Sequence, residues 1–396
     1  MKGLLVKLGK ISLMIRRNGL CQGGKIVAEY LKIYFKAFFV GSGDVLFITG
    51  GVGDKAHYRA FGPAEELRHH GFKCSVTVED NPNLPKYAGR FKVFVFHKVS
   101  SDRNKKNELL VNEIKKQKKE IIFDTDDLDF DPQYLSHMDY FSKISQSEQE
   151  QFQKGIGAWL LSDPYVKTCT VSVAYLADKL REKGKKVIVV ANKLSDRELE
   201  LTDRIMESPK KDDGFIRIGY YSGTLSHNKD FATVTSALIF VMRKYQKVKL
   251  TLAGPLDMEN ELNEFRDRIE ILPRVSRDKY YGNVYKCHIN LVPLELGNPF
   301  CESKSEIKFM EAGILKIPTV AARNRTYSEA IEDGVDGFLA GSEEEWIDKL
   351  DRLIEDENLR RSMGEKAREK ILKDYTNKNS HNREYYDYIT GLTRLP

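Results

Sequence analysis

At 396 residues the chain is long enough for two domains of ordinary size, and its 41% hydrophobic and 31% charged content is that of a globular protein. The 64 basic and 58 acidic residues give a net charge of +6, which is too small to indicate a nucleic-acid partner. The sequence has no run of 18 uncharged apolar residues and no evident signal peptide, so we predict no transmembrane helix. Its five cysteines are scattered singly, so we predict no disulfide and no zinc site, and a location in the reducing cytoplasm.

The N-terminal segment, residues 1–40, mixes eight lysines and arginines with aliphatic and aromatic residues, and its first acidic residue is Glu29. Basic amphipathic helices that carry aromatic residues are typical of segments that bind anionic membrane surfaces. Packing of the segment on its own domain is the alternative, and one helix can do both. We therefore predict a basic amphipathic helical extension that contacts an anionic membrane surface.

From Val45 onward, short apolar runs alternate with segments of helical periodicity such as Tyr58–His70 and Ala174–Lys183. The runs that we predict as strands are Val45–Thr49, Cys74–Val78, Val93–His97, Ile121–Asp124, Thr168–Val173 and Val187–Ala191. Strands that alternate with helices indicate βαβ units and a parallel sheet. Residues 41–195 are therefore predicted to form a first Rossmann-like domain.

The polar and charged stretch 195–214 predicts a linker, after which a second series of strands and helices begins. Its predicted strands are Ile216–Tyr221, Val248–Ala253, Ile269–Leu272, Ile289–Pro293 and Thr319–Ala322, and its predicted helices are 229–245, 276–286, 304–315, Glu343–Glu355, Glu357–Tyr375 and roughly 377–392. Residues 214–375 are therefore predicted to form a second Rossmann-like domain. Ligands bind beyond the C-terminal ends of the strands in such folds, so we predict an α/β protein whose two domains face a cleft.

The first predicted strand leads into a glycine-rich turn, Gly50-Gly51-Val52-Gly53, which is followed by a predicted helix. Glycines allow a ligand to approach the backbone closely, and the order strand, turn, helix is the context that such a motif needs. The turn lacks the Lys-Ser/Thr of a nucleoside-triphosphate loop and is not the dinucleotide fingerprint. A tight turn without a ligand is the alternative.

Polar residues also follow two other strands of the first domain. His97 ends the run Val93–His97, where it could bind a sugar or move a proton, although a lone histidine is more often structural. Asp126 and Asp127 follow the run Ile121–Asp124, and hard carboxylates of this kind suit magnesium or manganese. Helix capping at the end of a strand is the alternative reading of the aspartates.

The stretch Asn298–Ala322 reads as a polar loop, a helix and a buried strand. Serine oxygens cap backbone N–H groups, so we predict that the helix begins near Ser303 or Ser305. A helix N-terminus beside Lys304 is an anion site, and Glu311 lies two turns further along. This combination suits a phosphate attached to a polyol, and hence a nucleotide sugar. A capped helix that only packs on a sheet is the alternative.

This stretch resembles the donor-binding segment of family 4 glycosyltransferases, which have the GT-B fold. Glu311, in Glu311-Ala312-Gly313-Ile314-Leu315-Lys316-Ile317-Pro318, matches the glutamate that holds the donor ribose in that family. The family has a second glutamate eight residues earlier, where this chain has Ser303, with Glu302 beside it. The run Lys304-Ser305-Glu306-Ile307-Lys308 matches the Lys-Ser-x-x-Lys pattern of a bacterial subgroup concerned with surface polysaccharides.

The resemblance is good over 214–375 and looser over 44–195, and it implies roles for further residues. Gly51 and Gly53 would face the donor phosphates, and the loop Gly223–Asp230 would meet the donor diphosphate, with Lys229 at the lysine position. Thr224 stands where the family has an arginine. The resemblance also implies that residues 376–396 cross back onto the first domain and that the turn at Arg274 flanks the nucleobase. An Asp-x-Asp after a strand is the metal ligand of the GT-A fold, but the two βαβ series and the Glu311 segment favour GT-B, which usually works without a metal.

We therefore predict a retaining glycosyltransferase that moves a sugar from a nucleoside-diphosphate sugar to a glycan or lipid-linked acceptor in bacterial surface polysaccharide synthesis. It would use no cofactor and lie in the cytoplasm, at the inner face of the membrane. The predicted catalytic residues are Lys229, His97, Asp126 and Asp127. The predicted donor-binding residues are Gly51, Gly53, Gly223, Thr224, Lys229, Arg274, Ser303, Lys304, Ser305 and Glu311. A GT-B epimerase that hydrolyses its donor, and a catalytically inactive binding subunit, are the alternatives.

Overall fold

The computed structural model describes residues 23, 24, 27, 28, 30–102, 104–210, 212–223, 228–254, 256, 258–273 and 275–393. The contacts of the chain divide it into two compact units. The first unit comprises Met1–Ser136, Phe141–Lys193 and Ser380–Pro396, and the second comprises His137–Tyr140 and Leu194–Asn379. Each unit contains a six-stranded parallel sheet with helices between its strands.

The sheet of the first unit has the strand order β2-β1-β3-β4-β5-β6. Its strands are β1 Val45–Thr49, β2 Cys74–Val78, β3 Val93–His97, β4 Glu120–Thr125, β5 Thr168–Val171 and β6 Lys186–Val189. Every residue of β1 and β3 is buried. Continuous apolar runs of this kind are expected where helices cover both faces of a parallel sheet.

The helices of the first unit connect these strands in sequence. They are α1 Asp54–Ala56, α2 Gly62–His69, α3 Lys105–Lys116, α4 Gln146–Lys154, α5 Ala158–Leu161 and α6 Ala174–Arg181, and a π-helical turn, His57–Phe61, joins α1 to α2. Asn104 and Ser145 cap α3 and α4 by accepting a hydrogen bond from a backbone N–H of the first turn. Shorter 3₁₀ turns lie at Leu84–Gly89, Leu128–Phe130, Pro132–His137 and Phe141–Lys143.

The last helix of the chain, α16 Arg383–Thr393, belongs to the first unit. Its residues Tyr385 and Ile389 are buried in the same core cluster as Val45 and Phe47 of β1. The hydroxyl of Tyr386 donates to Glu66 of α2 at 2.6 Å. The C-terminal helix is therefore part of the core of the first unit rather than an appendage.

The described part of the N-terminal segment also packs on the first unit. Residues 30–36 are helical, and Tyr30, Tyr34 and Phe38 pack against Val52 and Val78. Ile33, Phe35 and Phe39 are instead 36%, 55% and 87% exposed. Residues 1–22, 25, 26 and 29 of the predicted extension lie outside the described residues. No described helix is both long and apolar enough to cross a bilayer.

The sheet of the second unit has the order β12-β11-β10-β7-β8-β9. Its strands are β7 Ile216–Tyr221, β8 Val248–Ala253, β9 Ile269–Leu272, β10 Ile289–Val292, β11 Thr319–Ala322 and β12 Phe338–Ala340. Its helices are α7 Asp196–Met206, α8 Asn228–Ala232, α9 Thr235–Lys244, α10 Arg277–Tyr285, α11 Pro299–Glu302, α12 Ile307–Gly313, α13 Arg325–Ala330, α14 Glu343–Glu355 and α15 Glu357–Asp374, with a 3₁₀ segment at Asn260–Arg268. The edge strand β12 was missed by the sequence analysis because it is only three residues long.

The predicted linker 195–214 was wrong over most of its length, because Asp196–Met206 forms helix α7. Ser195 and Glu198 make a capping box, in which each side chain accepts a hydrogen bond from the backbone N–H of the other residue. Leu199 and Thr202 are buried, so α7 packs as part of the second unit. The polar composition describes only the exposed face of this helix.

The predicted helix 304–315 is also different in the structure. A short helix, α11, ends at Glu302, and α12 begins only at Ile307. Ser303 follows the end of α11, and the residue that precedes α12 is Glu306, whose side chain makes no capping bond. Ser303 therefore follows α11 rather than capping α12, and α12 begins two residues after Ser305. The anion site at this segment stays a prediction.

Candidate functional site

Glu311 of α12 is the centre of a polar cluster in the second unit. Its side chain is 7% exposed. Arg277 of α10 donates from Nη2 to Glu311 Oε1 at 3.1 Å, and the hydroxyl of Tyr280 donates to Glu311 Oε2 at 2.6 Å. Each carboxylate oxygen thus accepts a hydrogen bond from a different residue of one helix, so the orientation of the carboxylate is set from both sides.

Two contacts hold α12, the helix that carries Glu311, in place. Asn290 of β10 donates from Nδ2 to the carbonyl oxygen of Lys308 at 3.2 Å and to Thr319 Oγ1 at 3.1 Å. A Cβ on Gly313 would lie 3.1 Å from the side chain of Ile371 and 3.3 Å from that of Ala367 in α15. The glycine therefore allows close packing of α12, the helix that carries Glu311, on α15.

The same cluster extends from Arg277 to Glu198 of α7. Arg277 Nε donates to Glu198 Oε1 at 2.6 Å, and the hydroxyl of Tyr281 donates to the same oxygen at 2.9 Å. The other oxygen, Oε2, accepts from the backbone N–H and the hydroxyl of Ser195 at 2.8 and 2.7 Å. Glu198 is 3% exposed and is held by four donors, so it is a rigid support for the guanidinium.

The loop between α11 and α12 contains three of the predicted donor-binding residues. Ser303 is fully buried, its hydroxyl donates to the carbonyl oxygen of Phe300 at 2.8 Å, and its N–H donates to Pro299 O at 3.0 Å. Lys304 and Ser305 are half-buried. The hydroxyl of Tyr327 donates to the carbonyl oxygen of Ser305 at 3.3 Å. Both donors of Ser303 are thus used within the turn.

Glu302, the acidic residue beside Ser303, stabilises the surrounding loops. Its Oε1 accepts from the N–H of Gly297 at 3.3 Å, and its Oε2 accepts from the N–H of Arg325 at 3.4 Å. The next basic residue of the segment, Lys308, is half-buried, and burial lowers the pKa of its ammonium group below the ordinary value. Burial therefore disfavours the charged form of Lys308, and the Glu302 carboxylate accepts hydrogen bonds from two backbone N–H groups.

The predicted residues of the loop after β7 are only partly described. Gly223 is exposed, and Thr224 lies outside the described residues, as does Arg274 near the end of β9. Lys229 in α8 has a 64% exposed side chain, and its Nζ lies 3.9 Å from Asp139 Oδ1. The ammonium group of Lys229 is therefore accessible to a ligand at the surface of the second unit.

A group of possible metal ligands lies near this loop. Asp230, Glu295 and Cys301 each offer a ligand atom, and these atoms are within 4.8 Å of one another. Asp230 Oδ1 accepts from the N–H of Glu295 at 3.1 Å and from the thiol of Cys301 at 3.0 Å. Burial, together with Asp230, raises the pKa of the Cys301 thiol well above its ordinary value. A protonated thiol is a poor metal ligand, so these contacts favour a structural hydrogen-bonded group.

The first unit has its own polar cluster at the C-terminal ends of its strands. The register pairs Thr49 with His97, His97 with Asp124 and Asp124 with Thr170, so that these four residues form a row across β1, β3, β4 and β5. Parallel strands bring residues from distant parts of the chain to one edge of the sheet. The row is the physical reason why His97 and Asp124 meet.

Asp124 is fully buried and is paired with Arg59. Arg59 donates from Nε to Asp124 Oδ1 at 3.1 Å and from Nη2 to Oδ2 at 2.5 Å, and Thr170 Oγ1 donates to Oδ2 at 2.7 Å. The guanidinium also donates to Val190 O and to Asn192 Oδ1. Burial alone would raise the pKa of Asp124, but Arg59 and His97 outweigh it and hold the pKa below its usual value.

His97 lies behind this pair, with 1% of its surface exposed. Its Nδ1 is 2.9 Å from Asp124 Oδ1, but without the direction of a hydrogen bond, and its Nε2 makes no hydrogen bond to any described residue. His97 is thus at the predicted edge of the sheet. Its immediate partner is a buried carboxylate rather than solvent.

Asp126 and Asp127 surround Lys98, which follows β3. Lys98 Nζ is 3.0 Å from Asp126 Oδ1 and 3.5 Å from Asp127 Oδ2, and it also contacts Asp129. Burial disfavours the ammonium charge, but the three carboxylates outweigh it and raise the pKa of Lys98 well above its ordinary value. Lys98 has a φ of 46°, a strained backbone conformation for a residue with a side chain. Lys55 contacts Asp127 at 3.0 Å.

The predicted glycines Gly51 and Gly53 lie in the turn that follows β1. Gly51 is half-buried, and an added Cβ would lie 3.6 Å from the hydroxyl of Tyr30. Gly53 is exposed with nothing within 4 Å of such a Cβ. The backbone of this turn is therefore accessible at Gly53, as close approach of a ligand requires.

The sequence analysis missed residues on which the two clusters depend, and five of them carry the main contacts. They are Glu198, Arg277 and Tyr280 in the second unit and Arg59 and Lys98 in the first. Lys98 could have been identified as a charged residue directly after a buried strand. The other four lie on helices, where charged and polar residues are common, so only the fold shows which of them point to the clusters.

Known proteins resemble this chain in sequence and in fold. Residues 202–370 match the family described as Glycosyl transferases group 1. The curated protein "Putative glycosyltransferase EpsD" of Bacillus subtilis (strain 168) is 24% identical over 167 residues, which are 41% of this chain and 42% of that protein. The chain thus matches about two fifths of the length of this curated relative.

Solved structures are similar over most of the chain. Anabaena Alr3699/HepE in complex with UDP has a TM-score of 0.57 at 13% identity, covering 88% of this chain and all of that one (100%). A glycosyltransferase from Rickettsia africae ESF-5 has a TM-score of 0.58 at 12% identity, covering 90% of this chain and 100% of that one. Sucrose-phosphate synthase from Thermosynechococcus elongatus has a TM-score of 0.55 at 12% identity, covering 88% and 100%. The two parallel α/β sheets are those of the GT-B fold, as predicted.

Proposed function

We propose that this protein is a retaining glycosyltransferase of the family 4 type, which transfers a sugar from a nucleoside-diphosphate sugar to a glycan or lipid-linked acceptor. The observation that carries the proposal is the Glu311 carboxylate, oriented by Arg277 and Tyr280 within the matched region 202–370. A buried carboxylate with a set orientation suits the vicinal hydroxyls of a ribose. Synthesis of a bacterial surface polysaccharide is the role that the Lys304–Lys308 pattern favours.

In the proposed reaction, the bond between the anomeric carbon and the diphosphate oxygen breaks. The acceptor oxygen forms its bond to the same face of that carbon, and the acceptor proton passes to the leaving phosphate. Lys229 and Lys304 would stabilise the charge that develops on the diphosphate, as fixed cations do in active sites. The loop glycines Gly51, Gly53 and Gly223 would allow the backbone to approach the donor.

The acceptor would meet the first unit, at Asp126 and Asp127. Asp126 is charged, because Lys98 and Lys55 outweigh the effect of burial and hold its pKa well below the usual value. A charged carboxylate can orient an acceptor hydroxyl by accepting its hydrogen. Because only 1% of the His97 side chain is exposed, His97 would act on the acceptor indirectly, through the residues packed around it.

A binding screen tests the proposal. We would measure the melting temperature of the protein with UDP, GDP, dTDP and CDP and their common sugars, with magnesium and with EDTA. A ligand at 100 times its dissociation constant stabilises a folded protein by roughly 2.7 kcal/mol. UDP is the first choice, because the Anabaena protein of similar fold was solved with UDP and with UDP-glucose. We expect one base to raise the melting temperature equally in EDTA.

Other outcomes select the alternatives. Stabilisation that needs magnesium would contradict the metal-independent donor site. Binding without transfer to any acceptor would favour an inactive binding subunit, whereas release of a free epimerised sugar would favour an epimerase. Glu311→Ala should abolish stabilisation by the nucleotide while the melting temperature without ligand stays within a few degrees, and an unchanged response would contradict the assignment of Glu311.

We also propose that the N-terminal segment holds the enzyme at the cytoplasmic face of the membrane. Phe35 and Phe39 are exposed, Lys32 and Lys36 lie beside them, and aromatic and basic residues together favour anionic lipid surfaces. The test is sedimentation with vesicles of anionic or neutral phospholipid. Replacing Phe35 and Phe39 by serine should reduce binding to anionic vesicles, whereas replacing the exposed Phe240 of α9 should not.

A further inference from the structure

The guanidinium of Arg277 joins two buried glutamates that lie 113 residues apart in the chain (311 minus 198). Nε donates to Glu198 at 2.6 Å and Nη2 donates to Glu311 at 3.1 Å. Only an arginine can make both bonds with one planar group, because its donors are arranged as a fixed fork. The side chain of Arg277 is 24% exposed, so this bridge is at the margin of the core rather than deep within it.

The two ends of the bridge differ in rigidity. Glu198 is held by the capping box of α7 and by the Tyr281 hydroxyl, so it anchors Arg277 in one orientation. Glu311 is the residue that the proposed function assigns to the donor ribose. A carboxylate can accept about four hydrogen bonds, so it can hold Arg277 and a ribose hydroxyl together. Ser195 therefore holds Glu198, Glu198 holds Arg277, and Arg277 holds Glu311.

We propose that Arg277 is a positioning residue for nucleotide recognition, which holds the Glu311 carboxylate in the orientation that accepts the ribose 2′- and 3′-hydroxyls. The inference rests on the proposed function and adds to it the residue that makes the ribose contact possible. Tyr280 supports the same carboxylate from its other oxygen. Ribose recognition would then depend on Glu198 of α7 and Arg277 of α10, although neither side chain is predicted to contact the donor itself.

A purely structural ion pair is the competing explanation, and the structure supplies a matched control for it. Arg197 of α7 and Asp278 of α10 form a second bridge between the same two helices, with Nη2 at 3.1 Å from both carboxylate oxygens. These side chains are 69% and 53% exposed, and neither of them makes the hydrogen bonds that hold Glu311, which come from Arg277 and Tyr280. Arg197→Gln thus removes a bridge between α7 and α10 and leaves Glu311 and its support intact.

The test is the dissociation constant of UDP and of 2′,3′-dideoxy-UDP, or of the same pair for whichever base the screen selects, measured by calorimetry. The ratio of the two constants reports the ribose hydroxyls alone. Hydrogen bonds to a charged group predict that the wild-type protein prefers the ribose form by roughly ten- to a hundredfold. Glu311→Gln should bring the ratio near 1.

We expect Arg277→Gln to lower the ratio at least threefold, Arg277→Lys to lower it less, and Arg197→Gln to leave it unchanged. Tyr280→Phe, which keeps the ring in place, should also lower it and provides a second variant if Arg277→Gln does not fold. Weaker binding of both nucleotides at an unchanged ratio, or tighter binding of UDP, would overturn the inference. A wild-type protein that binds none of the diphosphates would instead overturn the proposed function, so the two failures are distinguishable.

Discussion

Gly50, directly after β1, lies against the backbone of Lys98, directly after β3. A Cβ on Gly50 would be 2.1 Å from the carbonyl oxygen of Lys98, and the N–H of Gly50 donates to His97 O at 3.2 Å. Lys98 in turn places its ammonium group among Asp126, Asp127 and Asp129. The close contact of two strand ends therefore fixes the backbone of Lys98, whose ammonium group contacts Asp126 and Asp127, the carboxylates proposed to meet the acceptor.

Gly50→Ala should destabilise the first unit, because the methyl group overlaps backbone atoms that cannot rotate away. Overpacking of this kind costs roughly 1–3 kcal/mol. The measurement is the melting temperature by circular dichroism. Gly53→Ala is the control, since nothing lies within 4 Å of its Cβ and its φ is −78°. Equal melting temperatures for the two variants would contradict this account.

Arg59 should be among the most sensitive positions of the first unit. Arg59→Met leaves the buried carboxylate of Asp124 without its main partner, which typically costs about 3–5 kcal/mol. Arg181→Met removes the exposed ion pair with Asp178, and such pairs contribute only about 0–1 kcal/mol. Chemical denaturation of the two variants checks the difference. A loss for Arg59→Met as small as that for Arg181→Met would show that Asp124 is not held by this pair.

His288 predicts a pH dependence of stability in the second unit. Burial, with Lys210 and Arg360 nearby, lowers its pKa from 6.5 to about 4, and its Nδ1 accepts from the N–H of Arg217 at 3.0 Å. Between these pKa values the unfolded state binds more protons than the folded state. Stability is therefore full above pH 6.5 and decreases as the pH falls toward 4, by up to about 3 kcal/mol.

His288→Asn isolates this effect, because an amide oxygen can accept the same hydrogen bond but does not titrate. We expect the melting temperature of the wild-type protein to fall more steeply than that of His288→Asn between pH 6.5 and pH 4.5. Other groups titrate equally in both proteins, so the difference between the two curves belongs to position 288. Parallel curves would rule out a neutral buried histidine.

Tyr386 should hold the C-terminal helix on the first unit. Its hydroxyl donates to Glu66 Oε1 at 2.6 Å, beside Ser380, which donates to the same oxygen at 2.6 Å, and Lys193, which contacts Oε2 at 2.9 Å. Burial opposes the charge of Glu66, but Lys193 and these hydroxyls outweigh it and lower its pKa.

Tyr386→Phe removes one donor from a buried carboxylate, which costs about 1–3 kcal/mol. Hydrogen exchange should become faster in α16 and in α2, whereas exchange in α7 and α10 should not change. Tyr285→Phe is the control, since its hydroxyl donates to Ser208 O at the surface. Unchanged protection of α16 would mean that its apolar contacts alone hold it.

The sequence by itself determined the features that depend on local patterns. Strands β1, β2 and β3 have the predicted bounds, because short runs rich in β-branched and aromatic residues between turn signals favour strands. The Glu311 segment was found in the same way, from spacing along one stretch of chain. The alternation of strands and helices predicted two parallel α/β domains, and the resemblance of the Glu311 segment to family 4 glycosyltransferases added the GT-B fold.

The tertiary structure decided which charged residues meet. Arg59 contacts Asp124, and Arg277 contacts both Glu198 and Glu311. These residues are far apart in the sequence, so no local pattern predicts the contacts. The structure also shows that most of the predicted linker 195–214 is helix α7, and that Ser303 lies between α11 and α12 rather than at the start of a helix. The physical reason is that a helix or strand reflects interactions between near neighbours, whereas a charged pair depends on the register of distant strands and on the packing of the helices between them.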